Sequence, residues 1–201
     1  MAAVVVYADI VCPFAYVGLT RLIERRHELG RDDVRFQVRS WPLELVNGAP
    51  VDGRFIGEEI EEIKPQVATD LFTGFDAAAF PASSLPGLAL TNAAYDINDS
   101  TGEAIAMELR RLVFEKGIDV AAPTVLAAVA ARNGVTDLGN VDAVLAEYDE
   151  GRARHVVGSP HFFVDELSMF CPTLDIKRVD GALRVNLDTE AFSKLVTACF
   201  E

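Results

Sequence analysis

The hydrophobic pattern at the start of the chain predicts a strand, a helix and a second strand. Residues 4–8, Val-Val-Val-Tyr-Ala, form an uninterrupted β-rich run that is typical of a strand buried on both faces. Apolar residues then recur at roughly helical spacing from Phe14 until Gly30 stops the segment. Apolar and polar residues alternate over residues 34–39, as in a strand with one buried face. The start of the chain therefore predicts a β-α-β unit.

The middle of the chain predicts a loop and then a block of helices. Proline, asparagine and glycine break regular structure between residues 41 and 50. Stretches rich in Ala, Leu and Glu follow, and they predict helices at about residues 57–71, 90–99, 102–116, 123–133 and 141–154. The three histidines of the chain are too scattered to suggest a zinc site. We interpret the acidic residues of the first of these helices as a solvated face, with no metal site; they are Glu58, Glu59, Glu61 and Glu62.

The last part of the chain returns to strands and ends on a helix. β-Rich runs lie at residues 162–164, 169–170, 176–179 and 183–187, with a turn at 165–168. Asp188 is a suitable N-cap for a last helix whose apolar spacing puts Cys199 on the core face. The order β-α-β, helices, β-β-α predicts the α/β class and a thioredoxin-like fold with a helical insertion. We expect one compact unit, in which residues 1–50 and 156–201 form the core and residues 51–155 form the insertion.

The composition narrows the classes of partner. With 201 residues, 50% of them hydrophobic, the chain is long enough to bury one sizeable core. Its formal charge of -13 repels nucleic-acid phosphates and anionic lipid, and it contains no apolar run long enough to cross a bilayer, so we expect neither nucleic acid nor membrane as a partner. The apolar segment at residues 1–8 is too short for a secretion signal and lacks its basic residues, so we expect a cytoplasmic location. The odd count of 3 cysteines argues against a framework of structural disulfides.

The strongest candidate for chemistry is Cys12, between the first strand and the first helix. Pro13 suits a first helical turn because its missing N–H would have no intrahelical partner. The sulfur would then lie at a helix N-terminus, where free N–H groups and the helix dipole stabilise a thiolate. Such sites lower a thiol pKa from about 8.5 to roughly 3.5–7.5, so we expect a nucleophile near neutral pH. The other interpretation is that Cys12 is simply a small buried side chain.

Three segments carry a family resemblance: residues 9–14 (Asp-Ile-Val-Cys-Pro-Phe), 41–45 (Trp-Pro-Leu-Glu-Leu) and 158–160 (Gly-Ser-Pro). They resemble the DsbA-like branch of the thioredoxin superfamily, which includes FrnE-like proteins, 2-hydroxychromene-2-carboxylate isomerases and kappa-class glutathione transferases. The resemblance spans nearly the whole chain. It implies that Pro160 is a cis-proline beside the active sulfur and that Ser159 offers backbone hydrogen bonds to a bound thiol. It also implies that Pro13 and Phe14 help to bind a low-molecular-weight thiol, glutathione or another, with no covalently bound cofactor.

The chain departs from that family at two places. Redox members carry Cys-x-x-Cys, whereas Ala15 replaces the second cysteine here, so a mixed disulfide on Cys12 would wait for another thiol to release it. Residues 170–175, Phe-Cys-Pro-Thr-Leu-Asp, stand where kappa-like members hold glutathione with a Phe-Gly-Ser-Asp-Arg type segment, which puts glutathione itself in question. If the turn lies at residues 166–167, antiparallel pairing brings Cys171 towards Pro160 and makes it a candidate resolving thiol. The alternative is a bystander thiol.

Three further residues are candidates for auxiliary roles at the site. His161 follows the proline and is a candidate base, although strand alternation also allows it to point away from Cys12. Trp41 is expected to wall an apolar cleft between the core and the helical block. Asn92 lies where family members hydrogen-bond their substrate, and helix capping is its alternative role.

The leading functional hypothesis is a DsbA-like thiol-disulfide oxidoreductase with Cys12 as nucleophile and with Cys171 or an external thiol resolving. Its partners would be a small-molecule thiol or a protein thiol or disulfide. The second hypothesis is an isomerase or transferase that uses a thiol cofactor on an aromatic substrate. The third is a non-catalytic binding protein that retains the fold. The family resemblance also makes a homodimer a possibility.

Overall fold

The computed structural model describes residues 4–201, and residues 1–3 of the predicted core lie outside the described residues. Its strands are β1 (Val4–Ala8), β2 (Phe36–Ser40), β3 (His161–Val164), β4 (Leu167–Phe170), β5 (Leu174–Val179) and β6 (Ala182–Leu187). Its helices are α1 (Pro13–Glu28), α2 (Leu43–Asn47), α3 (Gly53–Val67), α4 (Leu85–Ile97), α5 (Asp99–Lys116), α6 (Pro123–Arg132), α7 (Val141–Ala153) and α8 (Thr189–Phe200). The predicted order of elements is confirmed, and the predicted insertion, residues 51–155, contains α3 to α7.

Helix boundaries follow local capping chemistry. Side-chain oxygens accept a hydrogen bond from a first-turn N–H at the start of α3, α5, α7 and α8, which satisfies a donor that the helix itself leaves free. Helix α2 was not predicted, because five residues are too few to show a helical period; Pro42 begins it and Gly48, at φ +69°, ends it. The capping residues are Asp52, Asn98, Asn140 and Asp188.

Four strands form the central sheet, in the order β2-β1-β3-β4. β1 pairs with β2 in parallel, and the β1–β3 and β3–β4 pairs are antiparallel. Strands β5 and β6 pair only with each other, as a separate two-stranded sheet. This is a thioredoxin-like fold with a helical insertion, as the sequence predicts.

The two faces of the central sheet pack against different clusters. Val6 and Phe162 belong to the main core, which also contains Cys12. Their strand neighbours point to the opposite face, because side chains alternate along a strand. There Tyr7, Trp41, Val156 and Phe163 form a second, smaller cluster.

The helical insertion seals the outer edge of β2. Glu103 of α5 accepts a hydrogen bond from the Phe36 N–H at 2.8 Å. Tyr95 and Glu147 accept in the same way from the N–H groups of residues 38 and 40, at 2.8 and 2.7 Å. An edge strand with unpaired N–H groups is open to further strand pairing, so these contacts both close the edge and join the insertion to the core.

The glutamates of α3 are only partly a solvated face. Glu58 and Glu61 are exposed, as predicted. Glu62 instead accepts a hydrogen bond from the Leu183 N–H at 2.7 Å, and Glu59 lies 3.9 Å from the Arg178 guanidinium. The prediction was wrong for these two residues because α3 packs against the β5–β6 hairpin on that side.

Candidate active site

Cys12 occupies the N-cap of α1, where the sequence places it. Its backbone is extended, with φ −85° and ψ 113°, and Pro13 follows at the first helical position. The Ala15 N–H donates to the Cys12 sulfur at 3.4 Å. The sulfur in turn lies 3.2 Å from the Ser159 carbonyl oxygen, to which its S–H donates. The sulfur is therefore held between the start of a helix and a loop from the far end of the chain.

The Ser159–Pro160 loop is brought to Cys12 by the pairing of β1 with β3. Tyr7 of β1 stands opposite His161, so the residues before β3 fall beside the β1–α1 junction. The Ser159–Pro160 peptide bond is cis. The two residues that the family resemblance assigned to the thiol site thus lie next to the sulfur.

The predicted lowering of the Cys12 pKa is wrong for this conformation. Only 3% of the residue is exposed, and burial raises the pKa of Cys12 to about 11. The Ser159 side chain and the hydrogen bond from the Ala15 amide lower the pKa of Cys12, whereas the charges of Asp9 and Glu59 raise it further. Desolvation of the thiolate outweighs the helix N-terminus here, so the thiol is protonated at neutral pH.

Asp9 and Arg110 hold the loop that carries Cys12, and sequence reasoning gave neither residue a role. The Asp9 N–H donates to the Ser159 hydroxyl at 3.0 Å, and the Asp9 carbonyl accepts from Arg110 at 3.1 Å. The Asp9 carboxylate accepts from the Val11 and Leu43 N–H groups. Asp9 belongs to residues 9–14, one of the segments that carry the family resemblance, so a role for it could have been predicted from the sequence. Arg110 follows Asp9 by 101 residues and carries no local signal.

Cys171 lies near Pro160, as predicted, but the β3–β4 turn falls at residues 165–166, one residue earlier than the predicted 166–167, and this register puts Cys171 opposite Pro160 itself. Its N–H donates to the Pro160 carbonyl oxygen at 2.9 Å. Its backbone is in the left-handed region, at φ +43°, and the residue is buried. Burial, and secondarily the charge of Cys12, raises the pKa of Cys171 to about 12. Cys12, Cys171 and Cys199 are all free thiols.

His161 points away from Cys12. Its ring stacks on Phe163 with 4.6 Å between ring centroids, on the opposite face of the sheet. Its Nδ1 accepts from the Val157 N–H at 3.2 Å, and its Nε2 is 2.9 Å from the Ser168 hydroxyl. Both ring nitrogens are thus engaged away from the sulfur, and burial lowers the pKa of His161. The expectation of a base beside Cys12 was wrong because of strand alternation.

Trp41 and Asn92 also lie away from the sulfur. Trp41 packs edge-on against Tyr7 in the second cluster, so it does not wall a cleft at Cys12. Asn92 lies inside α4, where it neither begins a helix nor faces Cys12. With its amide oriented to suit its neighbours, Asn92 donates to Glu147 at 2.9 Å and ties α4 to α7. Both residues have structural roles.

A small cavity lies beside the Cys12 loop, and a larger one reaches Cys171. Pro13 is buried and Phe14 is partly exposed against the main core. The cavity next to Val11 measures about 10 Å³, which is roughly the room for one water molecule. A larger cavity of about 510 Å³ runs along β4 and reaches Cys171. Within residues 4–201, no three His, Cys, Asp or Glu side chains are grouped to hold a metal, and no helix is long and apolar enough to span a bilayer.

The sheet order and the position of Cys12 beside a cis-proline loop define a protein of the thioredoxin-like class. Residues 3–185 match the model of the DSBA-like thioredoxin domain, and the chain belongs to that family. Comparison with curated proteins found no match.

Three solved structures show the same fold. The cytosolic disulfide reductase DsbM from Pseudomonas aeruginosa is 17% identical, with a TM-score of 0.62 and 97% of each chain covered. A probable DsbA oxidoreductase from Streptomyces coelicolor is 18% identical, with a TM-score of 0.64 over 99% of this chain and 90% of that one. A 2-hydroxychromene-2-carboxylate isomerase is 15% identical, with a TM-score of 0.58 over 84% of this chain and 88% of that one. At these identities the likeness establishes the fold alone.

Proposed function

We propose that this protein is a thiol-disulfide oxidoreductase in which the Cys12 sulfur is the nucleophile and a low-molecular-weight thiol is the reductant. The observation that carries the proposal is the position of that sulfur, between the Ala15 N–H and the Ser159 carbonyl beside Pro160. DsbM, one of the structural relatives, is named as a disulfide reductase and has also been solved with GSH. Three free, buried thiols fit a reducing compartment such as the cytosol.

The reaction proceeds by thiol-disulfide exchange. The Cys12 thiolate attacks a substrate disulfide, an S–S bond forms at Cys12, and the other substrate sulfur leaves as a thiolate and takes up a proton. A first small thiolate attacks the Cys12 sulfur and displaces the remaining substrate sulfur. A second small thiolate attacks the small thiol now bound there and frees the Cys12 thiolate. Two small thiols are thus oxidised to one disulfide, and one substrate disulfide is reduced to two thiols.

The buried state of Cys12 sets a condition on this chemistry. With a pKa of about 11, roughly one Cys12 in ten thousand is a thiolate at pH 7. Desolvation is the largest cause, and it is relieved when the sulfur is exposed to solvent. The Ala15 N–H and the helix N-terminus remain in place and then favour the thiolate. The reactive form is therefore the opened site.

The resolving thiol is not supplied by the first turn of α1, because Ala15 stands at that position. Cys171 is the nearest alternative within the chain by its contact with Pro160, since Cys199 lies on α8. External resolution requires turnover to depend on the small thiol and to survive the loss of Cys171. If Cys171 resolves the mixed disulfide, turnover is instead lost when Cys171 is replaced by serine.

The test is turnover of a small disulfide and of an insulin disulfide with glutathione as reductant. Cys12→Ser is expected to abolish both activities, and a mixed disulfide on Cys12 should be seen by mass spectrometry in the wild type. Cys199→Ser is the matched control, since that thiol is also buried but lies away from the loop. Full activity in the Cys12→Ser protein would refute the proposal.

A thiol-cofactor isomerase or transferase is the second candidate, and the protonation state of Cys12 favours it. A protonated Cys12 has a donor S–H, and such a donor stabilises the thiolate of a bound cofactor thiol without forming a disulfide. In this case Cys12→Ser would keep activity on an aromatic substrate, because a hydroxyl also donates. Assays of isomerisation and of thiol addition with both proteins separate the two candidates. If both proteins lack every activity, the third hypothesis, a binding protein, stands.

A further inference from the structure

We propose that Arg110 is the positioning residue through which the helical insertion fixes the Cys12 loop and supplies the cation opposite the Cys12 thiolate. The inference rests on the proposed function, because it assigns a determinant of reactivity to the same sulfur. It concerns a residue in α5 that contacts the loop before Cys12.

The surroundings of Arg110 are unusual for an arginine. The residue is 0% exposed. Its two hydrogen bonds within residues 4–201 go to main-chain carbonyl oxygens, those of Ala106 at 2.7 Å and Asp9 at 3.1 Å. Its Nε finds no partner among the same residues. Burying a cation without a hydrogen-bonded carboxylate is costly, so its charge must be offset by charges nearby.

The contact with Asp9 reaches both sides of the sulfur. Asp9 precedes Cys12 by three residues, and its N–H donates to the Ser159 hydroxyl. The Ser159 carbonyl is the group that accepts from the Cys12 S–H. A displacement of Asp9 would therefore move the loop before Cys12 and the loop that contains Pro160 together. Arg110 holds Asp9 from α5 through its carbonyl oxygen.

The charges around the sulfur show what Arg110 offsets. Asp9 from the β1–α1 junction and Glu59 from α3 both disfavour a Cys12 thiolate, and Cys171 adds a neutral thiol. Arg110 is a cation that interacts with Asp9, with Tyr95 and with Cys12. Burial lowers the pKa of Arg110 and the charge of Asp9 acts in the opposite direction, and an arginine in a protein keeps its proton, so the guanidinium remains charged. Removing it would leave the two carboxyl groups without this cation to offset them.

The test compares two neighbouring substitutions with opposite expected signs. Alkylation of Cys12 by iodoacetamide is followed against pH, with the Cys12 peptide quantified by mass spectrometry. Arg110→Met is expected to move the alkylation midpoint to higher pH and to lower turnover at pH 7 about tenfold for each unit of that movement. Asp9→Asn is expected to move the midpoint to lower pH, because a negative charge is lost. Arg110→Lys should restore most of the midpoint, since it keeps the charge.

Arg111→Met is the control for these substitutions. Arg111→Met removes an exposed arginine one residue further along α5 and should leave the profile unchanged. The inference is overturned if Arg110→Met folds and keeps the wild-type alkylation midpoint. It is also overturned if Asp9→Asn moves the midpoint to higher pH, as Arg110→Met is expected to do. If Arg110→Met fails to fold, Arg110→Lys and Asp9→Asn decide by the same criteria. If the wild-type protein reduces no disulfide but the Cys12 alkylation midpoint still moves as expected in the Arg110 and Asp9 variants, the proposed function is refuted and the inference about Arg110 stands.

Discussion

The Cys12 sulfur lies 3.2 Å from the Ser159 carbonyl oxygen, although 147 residues separate the two in the chain. The contact depends on the antiparallel pairing of β1 with β3, which brings the start of β3 to the end of β1. It joins a cysteine at a helix start and a cis-proline loop into one site. The same contact helps to bury the Cys12 sulfur, so the reactivity of the thiol depends on its exposure to solvent.

Mild oxidation with diamide should join Cys12 to Cys171. The two residues flank the same loop, since Cys12 donates to Ser159 and Cys171 donates to Pro160. Diamide takes up the two electrons and two protons that the thiols lose when the S–S bond forms. Peptide mapping without reductant should show the Cys12–Cys171 peptide pair.

Cys199→Ser should leave the yield of this crosslink unchanged, whereas Cys171→Ser should remove it. A Cys12–Cys199 pair, or no intramolecular pair with any oxidant, would show that the backbone holds Cys171 too far from Cys12 to bridge.

Stability should fall as the pH rises from about 9 to 11. The buried thiols of Cys12 and Cys199 have pKa values raised from 9.0 to about 11 and about 12, so the folded state holds protons that the unfolded state releases in this range. The loss is about 1.4 kcal/mol for each such thiol at pH 10, and nothing is lost below pH 9. Urea unfolding at pH 8 and pH 10 measures it. Cys199→Ala should show a smaller decrease between the two pH values than the wild type, and an equal decrease would contradict the assignment.

His161→Asn should keep disulfide turnover and lose stability. The His161 ring is stacked on Phe163, and both its nitrogens are engaged away from Cys12. Because burial lowers the pKa of His161 below 6.5, the folded state favours the neutral ring, and its contribution is full above pH 6.5 and decreases as the pH falls. The wild-type protein should therefore lose stability in acid more steeply than the variant, as measured by urea unfolding. If the variant instead loses turnover and keeps its stability, His161 takes part in the reaction and the prediction is wrong.

Glu103→Gln should destabilise the protein by about 3–5 kcal/mol, because it breaks a buried ion pair. Glu103 accepts from Arg26 at 2.8 Å and from the Phe36 N–H at 2.8 Å, and the two charged side chains are only 6% and 10% exposed. The control is Glu108→Gln in the partly exposed pair with Arg132, for which less than about 1 kcal/mol is expected. Chemical denaturation of both variants gives the comparison. Equal losses would mean that Glu103 does not anchor α5 to β2.

The sequence by itself determined the parts of this protein that depend on neighbours in the chain. The β-rich run of β1 and the Cys12-Pro13 pair located the sulfur at a helix start, because capping is decided within a few residues. The predicted β3–β4 hairpin brought Cys171 to the Pro160 end of the sheet, although the turn lies one residue earlier than predicted and the exact register came from the structure. Helix α2 escaped prediction because it is shorter than the period that reveals a helix.

Only the tertiary structure decided the electrostatics of the site. A thiolate pKa depends on how much water the folded chain removes, and that water is displaced by packing from distant elements. The sequence therefore predicted a lowered pKa at Cys12, where burial raises it. Arg110 reaches Asp9 across 101 residues, and Trp41 packs on the other face of the sheet, because such contacts follow from how helices and strands pack and not from local pattern.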